Sequence, residues 1–117
     1  MKKIILMMLC TFWVQSVSAA STKTITGKIK KVGTHLQAHY STNLDQTGVF
    51  YFYMDDLPAA CNTTQKRLAI TTNHPLYNTI SAMVLTAKAQ DASITAYYLD
   101  TCTYRSDAWD LTVLFLN

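Results

Sequence analysis

The chain contains no glutamate; all seven acidic residues among its 117 are aspartates. That removes half of the usual carboxylate choices for glycoside hydrolysis. No G-x-S-x-G nucleophile elbow occurs. No apolar run reaches the ~20 residues that a membrane span needs. Linkers, low-complexity tracts and internal repeats are also missing. These absences point away from an enzyme and away from a chain of several domains.

What is present begins with an export signal over residues 1–20. Lys2 and Lys3 form a positive start, Ile4 to Val14 is apolar and uncharged, and Val17-Ser18-Ala19-Ala20 supplies small residues. This is the three-part layout of a secretory signal. Cleavage after Ala19 or after Ala20 fits equally. Cys10 does not make it a lipoprotein signal, because Met7-Met8-Leu9 before it and Thr11-Phe12-Trp13-Val14 after it are still apolar core. The short Lys-Lys start is bacterial in character, so the expected location is the periplasm or the medium. No membrane span is expected after cleavage.

Without Lys2 and Lys3 the formal charge falls from +3 to +1. A near-neutral surface has no general attraction for polyanions, which argues against nucleic acid as a partner. Lys23, Lys28, Lys30 and Lys31 form one local cluster. Lysines on a strand edge block unwanted pairing, and that reading is preferred here to a binding patch. Residues 21–117, about 97 in number, suit one core and one domain.

Only Cys61 and Cys102 remain once the signal is gone. An even count in an exported chain reads as a disulfide. For a loop of roughly forty residues the chain-entropy model gives about 4 kcal/mol.

Hydrophobic spacing supplies the elements. Thr24 to Val32 alternates, with Ile25, Gly27 and Ile29 on one face. Gly27 suggests a bulge or a close backbone approach, and Gly33 is expected to break the run. His35 to Tyr40 is a weaker strand, and Ser41 to Gly48 is turn-rich. Val49 to Met54 (VFYFYM) is strongly β, and Arg67 to Thr72 continues with Leu68 and Ile70 facing one way. Asn73-His74-Pro75 carries helix-start chemistry. Leu76, Ile80, Met83, Val84 and Ala87 then form a helical apolar stripe. Ser93 to Leu99 resumes alternation. Trp109 to Leu116 closes the chain, with Trp109, Leu111, Val113 and Phe115 expected on one buried face. A lone helix among strands is an α+β, mainly β pattern. The expected architecture is an OB-fold-like antiparallel barrel of five or six strands with one helix. An open sheet packed on one helix is the main alternative.

His35 and His39 are four apart, but Gly33 before them and Ser-Thr-Asn after them disfavour the helix that metal binding would need. No metal or other cofactor is expected. Asn62-Thr63-Thr64 matches a glycosylation acceptor and reads as chance loop chemistry in a bacterial chain. Strand alternation turns part of the sets Tyr51/Tyr53 and Tyr97/Tyr98 outward. Exposed tyrosines beside Asn, Thr and Asp can stack on a sugar or build a protein interface. Plain β packing is the competing explanation.

Four segments, VFYFYMDDLPAAC, HPLYNTISAMVLTAKAQ, SITAYYLDTC and AWDLTVLFL, together with the signal and the domain length, resemble the binding subunits of bacterial AB5 toxins, in particular the subtilase cytotoxin B-like group. The likeness covers most of the mature chain in pattern, without a short invariant motif. It implies an OB-fold assembled as a ring of five, helices along the ring axis and cell-surface glycans on the flanks. Sialoglycan binding in that group uses a serine near the first strand and an aromatic residue. Tyr40-Ser41 is the nearest local match. The candidate ligand set is therefore Tyr40, Ser41, Tyr51, Tyr53, Tyr97 and Tyr98. The alternative function is a monomeric periplasmic module that binds or inhibits another protein.

Overall fold

The computed structural model describes residues 21–38 and 42–117. The signal segment and the stretch His39-Tyr40-Ser41 lie outside the described residues. Six strands and one helix follow in the order β1 (Thr22–Lys28), β2 (Lys31–Leu36), β3 (Gly48–Tyr53), β4 (Arg67–Thr71), α1 (Tyr77–Ala89), β5 (Ser93–Leu99) and β6 (Trp109–Leu116). They form one sheet in the order β1-β5-β6-β4-β3-β2. The mainly β, one-helix expectation therefore holds.

Two finer expectations change. The sheet is mixed, because β4 and β6 run parallel, pairing Leu68 with Trp109 and Ala69 with Asp110. A parallel pair needs a crossover, and the segment carrying α1 and β5 provides it. Among the described residues no ladder joins β1 to β2, so the sheet is not a closed barrel. Yet these two edge strands are separated in the chain only by Ile29 and Lys30. The sheet must curl for both edges to meet at that corner. Ile29 points into the core, 5% exposed, and the Lys30 amide donates to the Tyr53 carbonyl at 2.8 Å.

The expected strand from Thr24 to Val32 is thus two strands bent at a corner. Gly33 does not end the second one. It sits opposite Tyr51, where an added Cβ would lie 2.6 Å from the tyrosine ring. The glycine exists to admit that ring. Gly27 is covered by the side chains of Asp56 and Met54, not by a bulge or a neighbouring backbone.

The inner face carries the core: Phe50, Phe52, Leu68, Ile70, Ile94 and Leu111, closed by Ile80, Val84 and Ala87 of α1. Leu76 precedes the helix and is half exposed. His74 accepts the Leu76 amide at 3.0 Å through Nδ1, so the histidine does fix the approach to the helix. At the other end Asp91 takes a left-handed conformation, φ 50°, which aspartate tolerates better than most residues.

β6 departs from simple alternation. Tyr97 faces Val113 while Tyr98 faces Leu111, so Thr112 has no opposite number. This bulge flips the face of the strand. Trp109 packs on the core and Leu111 is buried within it, but beyond the bulge Leu114 turns in while Val113 and Phe115 turn out. We expect Leu114→Ala to cost about 2–5 kcal/mol and Phe115→Ala less than about 1 kcal/mol in urea unfolding. Uninterrupted alternation would reverse that order.

Candidate functional site

The outer face of β2, β3 and β4 gathers the aromatic and charged side chains. Alternation places Lys31, Gly33 and His35 of β2, Tyr51 and Tyr53 of β3, and Arg67 and Ala69 of β4 on this side. Gly33, Tyr51 and Ala69 form one cross-strand row. With little side chain on either side, the Tyr51 ring can tilt across the sheet. His35 stands 5.2 Å from it, ring to ring, and Tyr53 stands 5.8 Å away, edge to face. His35 Nδ1 donates to the Leu36 carbonyl at 2.6 Å.

Arg67 lies between these rings and is 6% exposed. Its guanidinium sits 4.4 Å above the Tyr51 ring and 5.5 Å from that of Tyr53. It donates to the Tyr53 hydroxyl at 2.8 Å and to the Asp107 carbonyl at 3.2 Å. It also forms an ion pair with the Asp107 carboxylate. Burial opposes the positive charge, but Asp107 and Tyr53 outweigh it and raise the pKa of Arg67.

Asp107 comes from the 100–108 loop, which lies over this face. Asp110 holds the base of that loop: its carboxylate accepts from Thr101 Oγ1 at 2.5 Å and from the amides of Thr103 and Tyr104 at 2.7 and 3.0 Å. Ala108 packs with Val49 and Ala69 in a small second core. Arg105 donates to the Gln37 carbonyl, and Gln37 returns a bond to the Tyr104 carbonyl. The disulfide is formed as expected. It joins Cys102 of this loop to Cys61 of the 54–66 loop, Cα atoms 6.4 Å apart. Cys61 and Asn62 are both left-handed, and the Thr63 amide donates back to Ala60, making the tight turn that presents the cysteine.

Beside Tyr53 opens a groove of about 310 Å3. Lys30, Lys31, Tyr53, Thr64, Gln65 and Lys66 line it, with Asp55 as its one acid. Lys31 Nζ lies 5.3 Å from the Tyr53 ring centre. Lys30 pairs with Asp55 at 3.1 Å. This combination offers a fixed aromatic face, amide and hydroxyl groups, and ammonium donors.

The expected ligand set is thus divided by the fold. Tyr51 and Tyr53 meet on one face. Tyr97 lies on β5, two strands further round, half-buried edge-on against Phe115. Tyr98 does not face outward: it is 4% exposed and packs against Trp109 in the core. Burial, then the charge of Asp100, raise its pKa. Tyr40 and Ser41 lie outside the described residues, as does His39. Lys30 and Lys31 line the groove, whereas Lys28 is held by Asp91 at 2.8 Å. Arg67, Lys66 and Asp107 were not anticipated. Pairing VFYFY with RLAIT as neighbours would have placed Arg67 beside the tyrosines, because Leu68 and Ile70 already face the other way. No family model, curated protein or solved structure matches the chain.

The Asp107 carboxyl is held below its ordinary pKa of 3.8. Burial pushes it upward, but the hydrogen bond and charge of Arg67, with the charge of Arg105, prevail. Its contribution to stability is therefore complete above the unfolded-chain value and is lost as the pH falls through the lower folded value. Asp107→Asn should cost about 2–4 kcal/mol at pH 7, since it leaves a buried guanidinium short of its partner. Urea titrations between pH 7 and pH 2 should show a flatter acid limb for the variant, with the two proteins converging at the lowest pH. Parallel curves would remove Asp107 from that role.

Proposed function

We propose that this chain is an exported, non-catalytic binding module with an OB-type barrel, which takes glycans on the outer face of β2, β3 and β4 and works as a ring of copies. The observation that carries the proposal is Tyr53. Its hydroxyl is held by Arg67 and its ring borders the groove. A pyranose has an apolar face suited to an aromatic ring and an edge of hydroxyls suited to Thr64, Gln65 and the lysines.

The connectivity supports the barrel. Counted as one bent strand, β1 and β2 leave five strands, one parallel pair and a helix between the third and fourth, an order that favours an OB reading. In that fold the face of the second and third strands and the loops beside it bind saccharides. On this reading those strands correspond to β3 and β4, and the 100–108 loop lies beside them. A ring is favoured by the resemblance to toxin binding subunits and by the exposed side of α1. There Asn78, Ala82, Leu85 and Ala89 form a stripe without charge, and Leu85 is 53% exposed. Export is favoured by the signal pattern and by the disulfide, a bond that persists in oxidising compartments. Among the described residues no helix is long and apolar enough to cross a membrane.

Native mass spectrometry of the oxidised mature protein should give a closed oligomer, and a glycan array should give binding. Tyr53→Ala should weaken that binding about tenfold, the equivalent of about 1.4 kcal/mol of aromatic contact, with the fold unchanged by circular dichroism. A monomer that binds no glycan overturns the proposal and favours a protein-binding module.

A further inference from the structure

We infer that the Cys61–Cys102 disulfide is a redox-sensitive latch on one wall of the groove, and that its reduction by a dithiol frees the turn of residues 61–65 while Tyr53 stays in place. This rests on the glycan reading for what the groove holds and adds how its grip is regulated. The two ends of the bond are held very differently. Before Cys61 the 54–66 loop is anchored: Leu57 and Ala60 are buried, and Trp109 Nε1 donates to the Pro58 carbonyl at 2.9 Å. After the turn the Lys66 carbonyl accepts from the Met54 amide at 3.1 Å. The bonds in between close on themselves. The Ala60 amide donates to the Gln65 carbonyl at 2.8 Å, the Thr63 hydroxyl to the Ala60 carbonyl at 2.6 Å, and the Gln65 amide to the Thr63 hydroxyl at 3.1 Å. Among the described residues, the disulfide is the one bond that carries Cys61 to Gln65 across to another part of the chain.

The Cys102 end is held several times over. The Thr103 and Tyr104 amides donate to Asp110, Asp107 pairs with Arg67, and Arg105 donates to the Gln37 carbonyl. Breaking the disulfide therefore leaves the 100–108 loop, Arg67 and Tyr53 where they are. It releases the wall that carries Thr64 and Gln65. Two features favour that release. Cys61 sits at φ 40° and Asn62 at φ 59°, a left-handed pair that residues with a β-carbon enter at a cost. Both cysteines keep partial exposure, as attack by a thiolate requires. The exchange balances: one S–S bond breaks and two cysteine thiols form. The dithiol supplies the two electrons and two protons as it closes its own disulfide. A ligand gripped in an oxidising medium is then let go in a reducing one.

Thiol alkylation read by mass spectrometry, with amide hydrogen exchange, tests this on the oxidised mature protein with and without dithiothreitol. Both cysteines should become alkylated without denaturant. Exchange at Thr63 and Gln65 should quicken about tenfold or more, while Thr103, Tyr104 and the core strand β3 keep their protection. The double substitution Cys61→Ser with Cys102→Ser should show the same pattern with no reductant present, which separates the bond from the reagent. On a glycan array the double variant should bind about tenfold more weakly than the oxidised protein. Alkylation that needs urea overturns the inference. So does exchange that quickens evenly through the molecule, which would make the bond a general staple, and so does unchanged exchange at Thr63 and Gln65. Equal glycan binding by the two proteins overturns it while the glycan reading stands. If neither protein binds a glycan, the glycan reading falls, and selective release of the turn still supports the latch.

Discussion

A buried guanidinium governs the outer half of this protein. Taking a cation out of water costs several kcal/mol unless its hydrogen-bond and charge requirements are met. Arg67 meets them with groups from three residues on two parts of the chain: the Asp107 carboxylate and carbonyl, the Tyr53 hydroxyl and the Tyr51 ring. Each partner is fixed in return. Tyr53 cannot swing away from the groove without abandoning Arg67. The 100–108 loop cannot lift without uncovering a charge. The Asp110 bonds and the disulfide hold the same loop by different chemistry, so its position does not depend on one contact.

Much of this was legible in the sequence, for reasons that can be given residue by residue. The strands and the helix announced themselves because period 2 and period 3.6 are local properties. Ile80, Val84 and Ala87 came out buried, as their spacing required. What failed was whatever depended on partners distant in the chain. Alternation in Trp109–Leu116 gave the wrong face after Thr112, because a bulge is decided by how β6 meets β5. Gly33 looked like a breaker, when its partner Tyr51 makes it a strand residue.

The candidate site divides along the same line. Tyr51 and Tyr53 could be picked from one strand's alternation. Tyr98 could not be told from Tyr97, since two adjacent tyrosines must face opposite ways and the sequence does not say which way is out. Arg67 carried no local mark of its role, because Asp107 lies 40 residues away. The lysines were visible as a cluster. Whether Lys30 and Lys31 guard an edge or line a groove depends on the 54–66 loop, whose Thr64, Gln65 and Lys66 complete the opposite wall.

The corner at Ile29–Lys30 ties the fold to the site. Both edges of the curled sheet converge there, and strand alternation makes adjacent residues face opposite ways. Ile29 therefore enters the core, and Lys30 stands out beside Tyr53, with its amide bonded to the Tyr53 carbonyl. One bend thus closes the hydrophobic interior and delivers a charged residue to the rim of the groove. The two tasks use different atoms. Backbone and Ile29 carry the closure, while the Lys30 and Lys31 side chains remain in solvent. Charge at this rim can therefore change with little effect on the core, while Arg67, Asp107 and the disulfide keep Tyr53 in place.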